Sequence, residues 1–77
     1  MAVEVKGLKQ KRGDILFTDR EWTEAKARRE DYLLVVVGNL EDVPLVRTIY
    51  DPAAILHTSC KHHTSIAVTW RARVGVT

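Results

Sequence analysis

The chain is poor in the features that stabilise or anchor many small proteins. Among its 77 residues is one cysteine, Cys60, so no internal disulfide can form and a reducing cytoplasm is the natural compartment. No stretch approaches the roughly 20 apolar residues of a membrane helix. The opening Met-Ala-Val-Glu-Val-Lys lacks the basic-then-apolar order of a signal peptide. The chain therefore reads as soluble and cytoplasmic. Its net charge of +2 is too small to select a class of partner. Trp22, Trp70, Tyr32 and Tyr50 are too few and too scattered to form a base-stacking platform. There is no glycine-rich phosphate loop, no Ser-His-Asp order, no internal repeat and no low-complexity segment. The length allows one small domain over residues 1–77, with a core marginal enough to invite a partner chain.

What is present starts with Tyr32-Leu-Leu-Val-Val-Val-Gly38, an uninterrupted apolar, largely β-branched run. Such runs mark strands covered on both faces, and this one predicts the central strand of a sheet. Val3-Glu-Val-Lys-Gly7 alternates cleanly, with Val3 and Val5 on one side and Glu4 and Lys6 on the other. The basic stretch Lys9-Gln-Lys-Arg-Gly13 reads as a hairpin turn leading to a second strand, Asp14-Ile-Leu-Phe17. Thr18-Asp-Arg-Glu21 matches a capping box, and Phe17 and Trp22 occupy the two positions of a hydrophobic staple. Acidic residues lead and basic residues close the segment that follows, as the helix dipole favours. A helix is predicted from residue 19 to about residue 29.

After the central strand, the short connection 39–43 predicts an antiparallel hairpin with the strand Leu45-Val-Arg-Thr-Ile-Tyr50. Asp51-Pro52 reads as a cap with proline at the first helical position, opening a turn or two of helix. Residues 57–64 are polar and aperiodic, and read as a loop. Residues 65–76 alternate again as a half-buried strand, with Ile66, Val68, Trp70, Ala72, Val74 and Val76 on its apolar side. The predicted fold class is α+β: a mixed, largely antiparallel sheet of about five strands, with one main helix between strands two and three.

Three groups of residues could carry chemistry. Glu4 and Lys6, two apart on a strand, can share a divalent-metal site in which the carboxylate binds Mg²⁺ or Mn²⁺ and the lysine offsets charge on a phosphate. Equally, paired charges on the wet side of a strand look the same. Lys9, Lys11 and Arg12 form one basic cluster, with Arg71 and Arg73 forming another. Either group could be a phosphate footprint or simple solubilising charge. His57, Cys60, His62 and His63 are zinc-ligand types, but structural sites split their ligands into two separated pairs. They read as a solvated polar loop, and Cys60 has no base beside it to make a nucleophile.

The order of landmarks Glu4-Val-Lys-Gly7, Ile15-Leu-Phe-Thr-Asp-Arg-Glu-Trp22, Tyr32-Leu-Leu-Val-Val-Val and Ile49-Tyr-Asp-Pro52 resembles the domain at the C-terminus of the plant NO VEIN protein. The resemblance covers residues 3–56, and that family looks like a branch of the PD-(D/E)XK nuclease superfamily. It implies a partial restriction-endonuclease-like fold, with Glu4 and Lys6 at the acid and lysine positions. It also makes Glu21 a helix-borne site residue, alongside its reading as a capping residue. The superfamily carries a further metal-binding Asp ahead of the first strand, where this sequence has only Met1-Ala2 before Val3. Asp14 or Glu21 would have to substitute, and any Mg²⁺ or Mn²⁺ would be weakly held. The resemblance implies a nucleic-acid-associated or assembly module that is inactive alone. The alternatives are a nuclease completed by another chain, and an interaction module with no nucleic-acid role. An incomplete domain of this kind is expected to form a homo-oligomer, and DNA is the expected nucleic-acid partner.

Overall fold

The computed structural model describes residues 1–62 and 68–77, with only the backbone described at positions 61 and 62. Six strands form two three-stranded sheets among these residues. The elements in chain order are β1 (Ala2–Gly7), β2 (Arg12–Thr18), helix α1 (Asp19–Arg28), a 3₁₀ turn (Arg29–Asp31), β3 (Tyr32–Gly38), β4 (Leu45–Tyr50), the single-turn α2 (Pro52–Ile55), β5 (Thr58–His62) and β6 (Val68–Gly75). The α+β class stands, with one principal helix between β2 and β3. No helix among the described residues is long and apolar enough to cross a membrane.

The first sheet runs β1-β3-β4 and the second β2-β6-β5. β3 is central, as its apolar run predicts, and forms the expected antiparallel hairpin with β4. β1 and β2 do not form the expected hairpin. β1 instead lies parallel to β3, from Ala2 opposite Tyr32 to Gly7 opposite Val37. Parallel neighbours need a long crossover, and β2 with α1 supplies it. Leu8 extends the β1 ladder by donating its amide to the Val37 carbonyl, and the chain then crosses to the other sheet. There β2 pairs antiparallel with β6.

Residues 58–62 are also corrected, from loop to the edge strand β5, paired antiparallel with β6. An edge strand tolerates polar residues because one side of its ladder is unpaired. His57 of the predicted loop remains outside any strand, and residues 63–67, which include the loop's end and Ile66 of the predicted last strand, fall outside the described residues. α2 forms at Pro52, but Asp51 adopts a left-handed conformation and its side chain makes no cap hydrogen bond.

The core lies between the sheets and under α1. Leu34, Val36 and Ile49 of the first sheet meet Ile15, Phe17, Ala72 and Val74 of the second, with Trp22 and Ala25 of the helix closing the end. β3 buries Tyr32, Leu34, Val36 and Gly38, whereas Leu33, Val35 and Val37 on its other side are only half-buried. The apolar run therefore does not mean cover on both faces. Close packing of the segments just before β2 and just after β6 explains Gly38: a Cβ there would stand 2.7 Å from Val76 Cγ2 and 3.1 Å from the Gln10 carbonyl oxygen.

Helix α1 begins where its local chemistry dictates. The Thr18 hydroxyl accepts from the Glu21 amide at 3.1 Å, and Glu21 Oε1 accepts from the Thr18 amide at 2.8 Å, completing the capping box. The staple rings of Phe17 and Trp22 stand 5.0 Å apart. Trp22 stacks on Trp70 at 6.3 Å, and Trp70 Nε1 donates to Asp19 Oδ1 at 2.9 Å, fixing the helix on β6. Thr18→Ala is expected to lower unfolding stability by about 1 kcal/mol, read from urea denaturation, whereas Glu21→Gln should preserve the cap because Gln also serves in a capping box.

Candidate functional site

Strand β1 is turned opposite to the usual sense. Its valines face outward, and Glu4 and Lys6 face the side covered by the helix. The outward position of Val3 and Val5 matches the half-buried Leu33 and Val35 opposite them on β3. The wet-side reading of Glu4 and Lys6 is thus corrected: their side chains, with that of Glu21, are between 18 % and 27 % exposed.

The three side chains converge. Lys6 Nζ donates to Glu21 Oε1 at 3.1 Å and lies 3.4 Å from Glu4 Oε1. Its ammonium also sits 5.3 Å from the centre of the Phe17 ring, a cation–π distance. One oxygen of Glu21 therefore receives both the Thr18 amide and the Lys6 ammonium. Glu21 is thus both the capping residue and a member of the acid–lysine cluster.

The carboxyls are held differently. Burial raises the Glu4 pKa, as do the hydrogen bond and negative charge of Glu21, against the opposing pull of Lys6. Burial also pushes Glu21 upward, but the Thr18 amide, Lys6 and the bond from Glu4 outweigh it and leave the group lowered. The two carboxyls are therefore shifted in opposite directions, Glu4 upward and Glu21 downward. Tyr32, at the start of β3, is pushed up to about 12 by burial and by the charges of Glu4, Glu21 and Glu24. Its hydroxyl keeps its proton throughout the physiological range. Nothing in the sequence gives Tyr32 this setting, because only the parallel register brings the start of β3 to β1.

Asp14 is placed elsewhere. It lies on the side of β2 opposite Ile15 and Phe17, with carboxylate oxygens 4.0 Å from Arg71 and 3.8 Å from Arg73. The structure does not bring it to Glu4. Mg²⁺ and Mn²⁺ favour about six oxygen ligands, near-octahedral for Mg²⁺. Here two carboxylates converge and the lysine ammonium stands between them. Among the described residues, no group of three or more His, Cys, Asp or Glu side chains could hold a metal ion. As arranged, the cluster does not fit a divalent cation.

The basic residues gather instead. Arg12 opens β2 opposite Gly75, so its side chain shares the outer face of the second sheet with Arg71 and Arg73. Lys9 and Lys11 lie in the adjoining loop, which is tied to the last strand by the Val76 amide donating to the Lys11 carbonyl at 2.9 Å. Arg47 reaches across from β4 to donate to the Gly75 carbonyl at 3.0 Å. Two clusters distant in sequence become neighbours on one side of the second sheet because β2 pairs with β6.

Comparison with known protein families matches residues 1–49 to the family described as Protein NO VEIN, C-terminal. The chain belongs to that family. The match contains β1, β2, α1 and β3, and hence Glu4, Lys6 and Glu21. No curated protein and no solved structure matches the chain.

The linkage of the acid cluster to stability has a definite sign. The lowered Glu21 stabilises the fold above the usual carboxylate range, and this is lost as pH falls through its folded pKa. The raised Glu4 acts oppositely: its contribution is full at low pH and is lost as pH rises through its folded pKa. Glu4→Gln should therefore leave stability at neutral pH unchanged or raise it. Lys6→Ala leaves two facing carboxylates without their cation and should cost about 1–3 kcal/mol at neutral pH, with the deficit shrinking on acidification. Urea midpoints of both variants across the acidic range check this.

Proposed function

We propose that this chain is a nuclease-like module of the PD-(D/E)XK type that associates with nucleic acid and does not cleave it alone. The observation that carries the reading is the pairing of β2 with β6, which gathers Arg12, Arg71 and Arg73 on the outer face of the second sheet, with Lys9 and Lys11 in the adjoining loop. Five cations gathered in this way can track a phosphate backbone, which supplies most of the affinity in sequence-independent binding. The acidic residue on that face, Asp14, bridges the two arginines at long range and neutralises only part of their charge.

The cluster supports the superfamily placement through its residue types and position. Glu4 and Lys6 stand on the first strand at the acid and lysine positions, with Glu21 as the helix-borne acid. Its donor set supports the absence of independent cleavage, since two carboxylates clamped on a lysine leave a hard cation too few oxygens. In this chain the cluster fixes α1 to the first sheet through the Lys6 ammonium, which contacts both Glu4 and Glu21. Any metal chemistry would require further acidic ligands from outside the cluster.

Fluorescence anisotropy with a labelled DNA duplex tests the proposal. Binding should be insensitive to sequence, and log K should fall with log salt with a slope of about −3 to −4.5, corresponding to roughly three to five phosphate contacts. Charge reversal at Lys9, Lys11 and Arg12 together should abolish binding, and Glu4→Gln should leave it intact. Failure to bind at low salt would reduce the chain to an interaction module. Mg²⁺- or Mn²⁺-dependent cleavage lost in both Glu4→Gln and Lys6→Ala would replace the proposal with a metal-dependent nuclease.

A further inference from the structure

The outer face of the first sheet is apolar, and no described residue covers it. The pairing registers place Val3, Val5, Leu33, Val35 and Val37 on it together, and β4 adds Val46, Thr48 and Tyr50. Val3, Val5, Val46 and Tyr50 are between 55 % and 62 % exposed. At one end Leu40 leans over Gly7, where an added Cβ would meet its Cδ1 at 3.4 Å. Both α1 and the second sheet pack on the opposite side, against Leu34, Val36 and Ile49.

We propose that this face is the contact between two copies of the chain, packed sheet on sheet about a two-fold axis. Its area fits such a pair. Side chains exposed to this degree offer on the order of 500 Å² of apolar surface, at the upper end of what monomers leave open. Two copies would bury on the order of 1,000 Å² between them, about where a specific interface begins. The chemistry fits as well. No position that the registers place on this face carries a charge, so it offers no complement to a charged partner and no repulsion against itself. An isologous contact requires this kind of self-complementarity. A two-fold axis in the plane of the contact and through the middle of β3 sets Val35 of one protomer against the partner's Val35. Aligned sheets pack about 10 Å apart with their inner side chains interdigitated, and flat rows of valine suit that spacing.

The basic face used for nucleic acid belongs to the other sheet, so the two proposals stand or fall separately. Sedimentation velocity of the full chain, from low to several hundred micromolar, tests this one. The wild-type chain should pass from monomer to dimer over that range. Val5→Lys and Val46→Lys, each at a well-exposed position, should each remain monomeric at the highest concentration, with far-UV circular dichroism unchanged. A wild-type chain that stays monomeric throughout overturns the proposal, including one that is captured by an added amphipathic peptide. A dimer that survives both substitutions pairs through a strand edge and overturns it equally.

Discussion

A single carboxylate oxygen joins the two halves of this fold. Glu21 Oε1 receives the Thr18 amide, which starts the helix, and the Lys6 ammonium, which rises from the other sheet. The first bond is local and the second spans fifteen residues of sequence. Through that oxygen, the position of α1 over β1 is set by the chemistry that begins the helix. Phe17 contributes from the same turn, since its ring lies against Trp22 on one side and within cation–π distance of Lys6 on the other. The acid–lysine cluster is therefore a product of the capping box as much as of the strand.

This arrangement places charges where packing alone would put apolar side chains. A lysine and two glutamates at least 73 % withdrawn from water gain less from pairing than a well-packed apolar trio would. The valines that could have filled that space face outward instead. The inversion has two results at once: a lysine-bridged pair of acids inside and a sheet face without charged side chains outside. Both follow from the direction in which one six-residue strand faces.

The sequence makes the local structure legible and the long-range structure opaque. The α1 boundaries follow from Thr18, Glu21, Phe17 and Trp22, because caps and staples act within one turn. The β3–β4 hairpin is legible from its short connection. β1 misleads because alternation reveals which residues share a side, not which side is covered. Glu4 and Lys6 do share one, but it is the inner one. A hairpin to β2 and a parallel partner in β3 are both compatible with the same alternating pattern, and only tertiary pairing chooses between them. β5 is missed because an edge strand of Thr, Ser, Cys, Lys and His has no apolar period to detect. In the candidate site, Glu4, Lys6 and Glu21 are legible as residue types. Tyr32 is not, and neither is the union of the two arginine-bearing strands, because both depend on pairings between distant segments.

The pairing of β2 with β6 has a kinetic side. Trp70 and Asp19, which fasten the helix to the second sheet, lie 51 residues apart in the chain. The first sheet closes over shorter separations, so a folding chain can complete β1-β3-β4 while β2 still lacks its ladder. Non-local pairings of this kind slow folding, because loop-closure entropy is lost before contacts repay it. During that interval β2 presents an unpaired edge carrying Ile15, Leu16 and Phe17, the sort of template that recruits other chains. Arg12 and Asp14 stand immediately before that apolar triplet. Charges flanking an unavoidable sticky strand are a general device against aggregation, and the sequence of β2 carries that pattern.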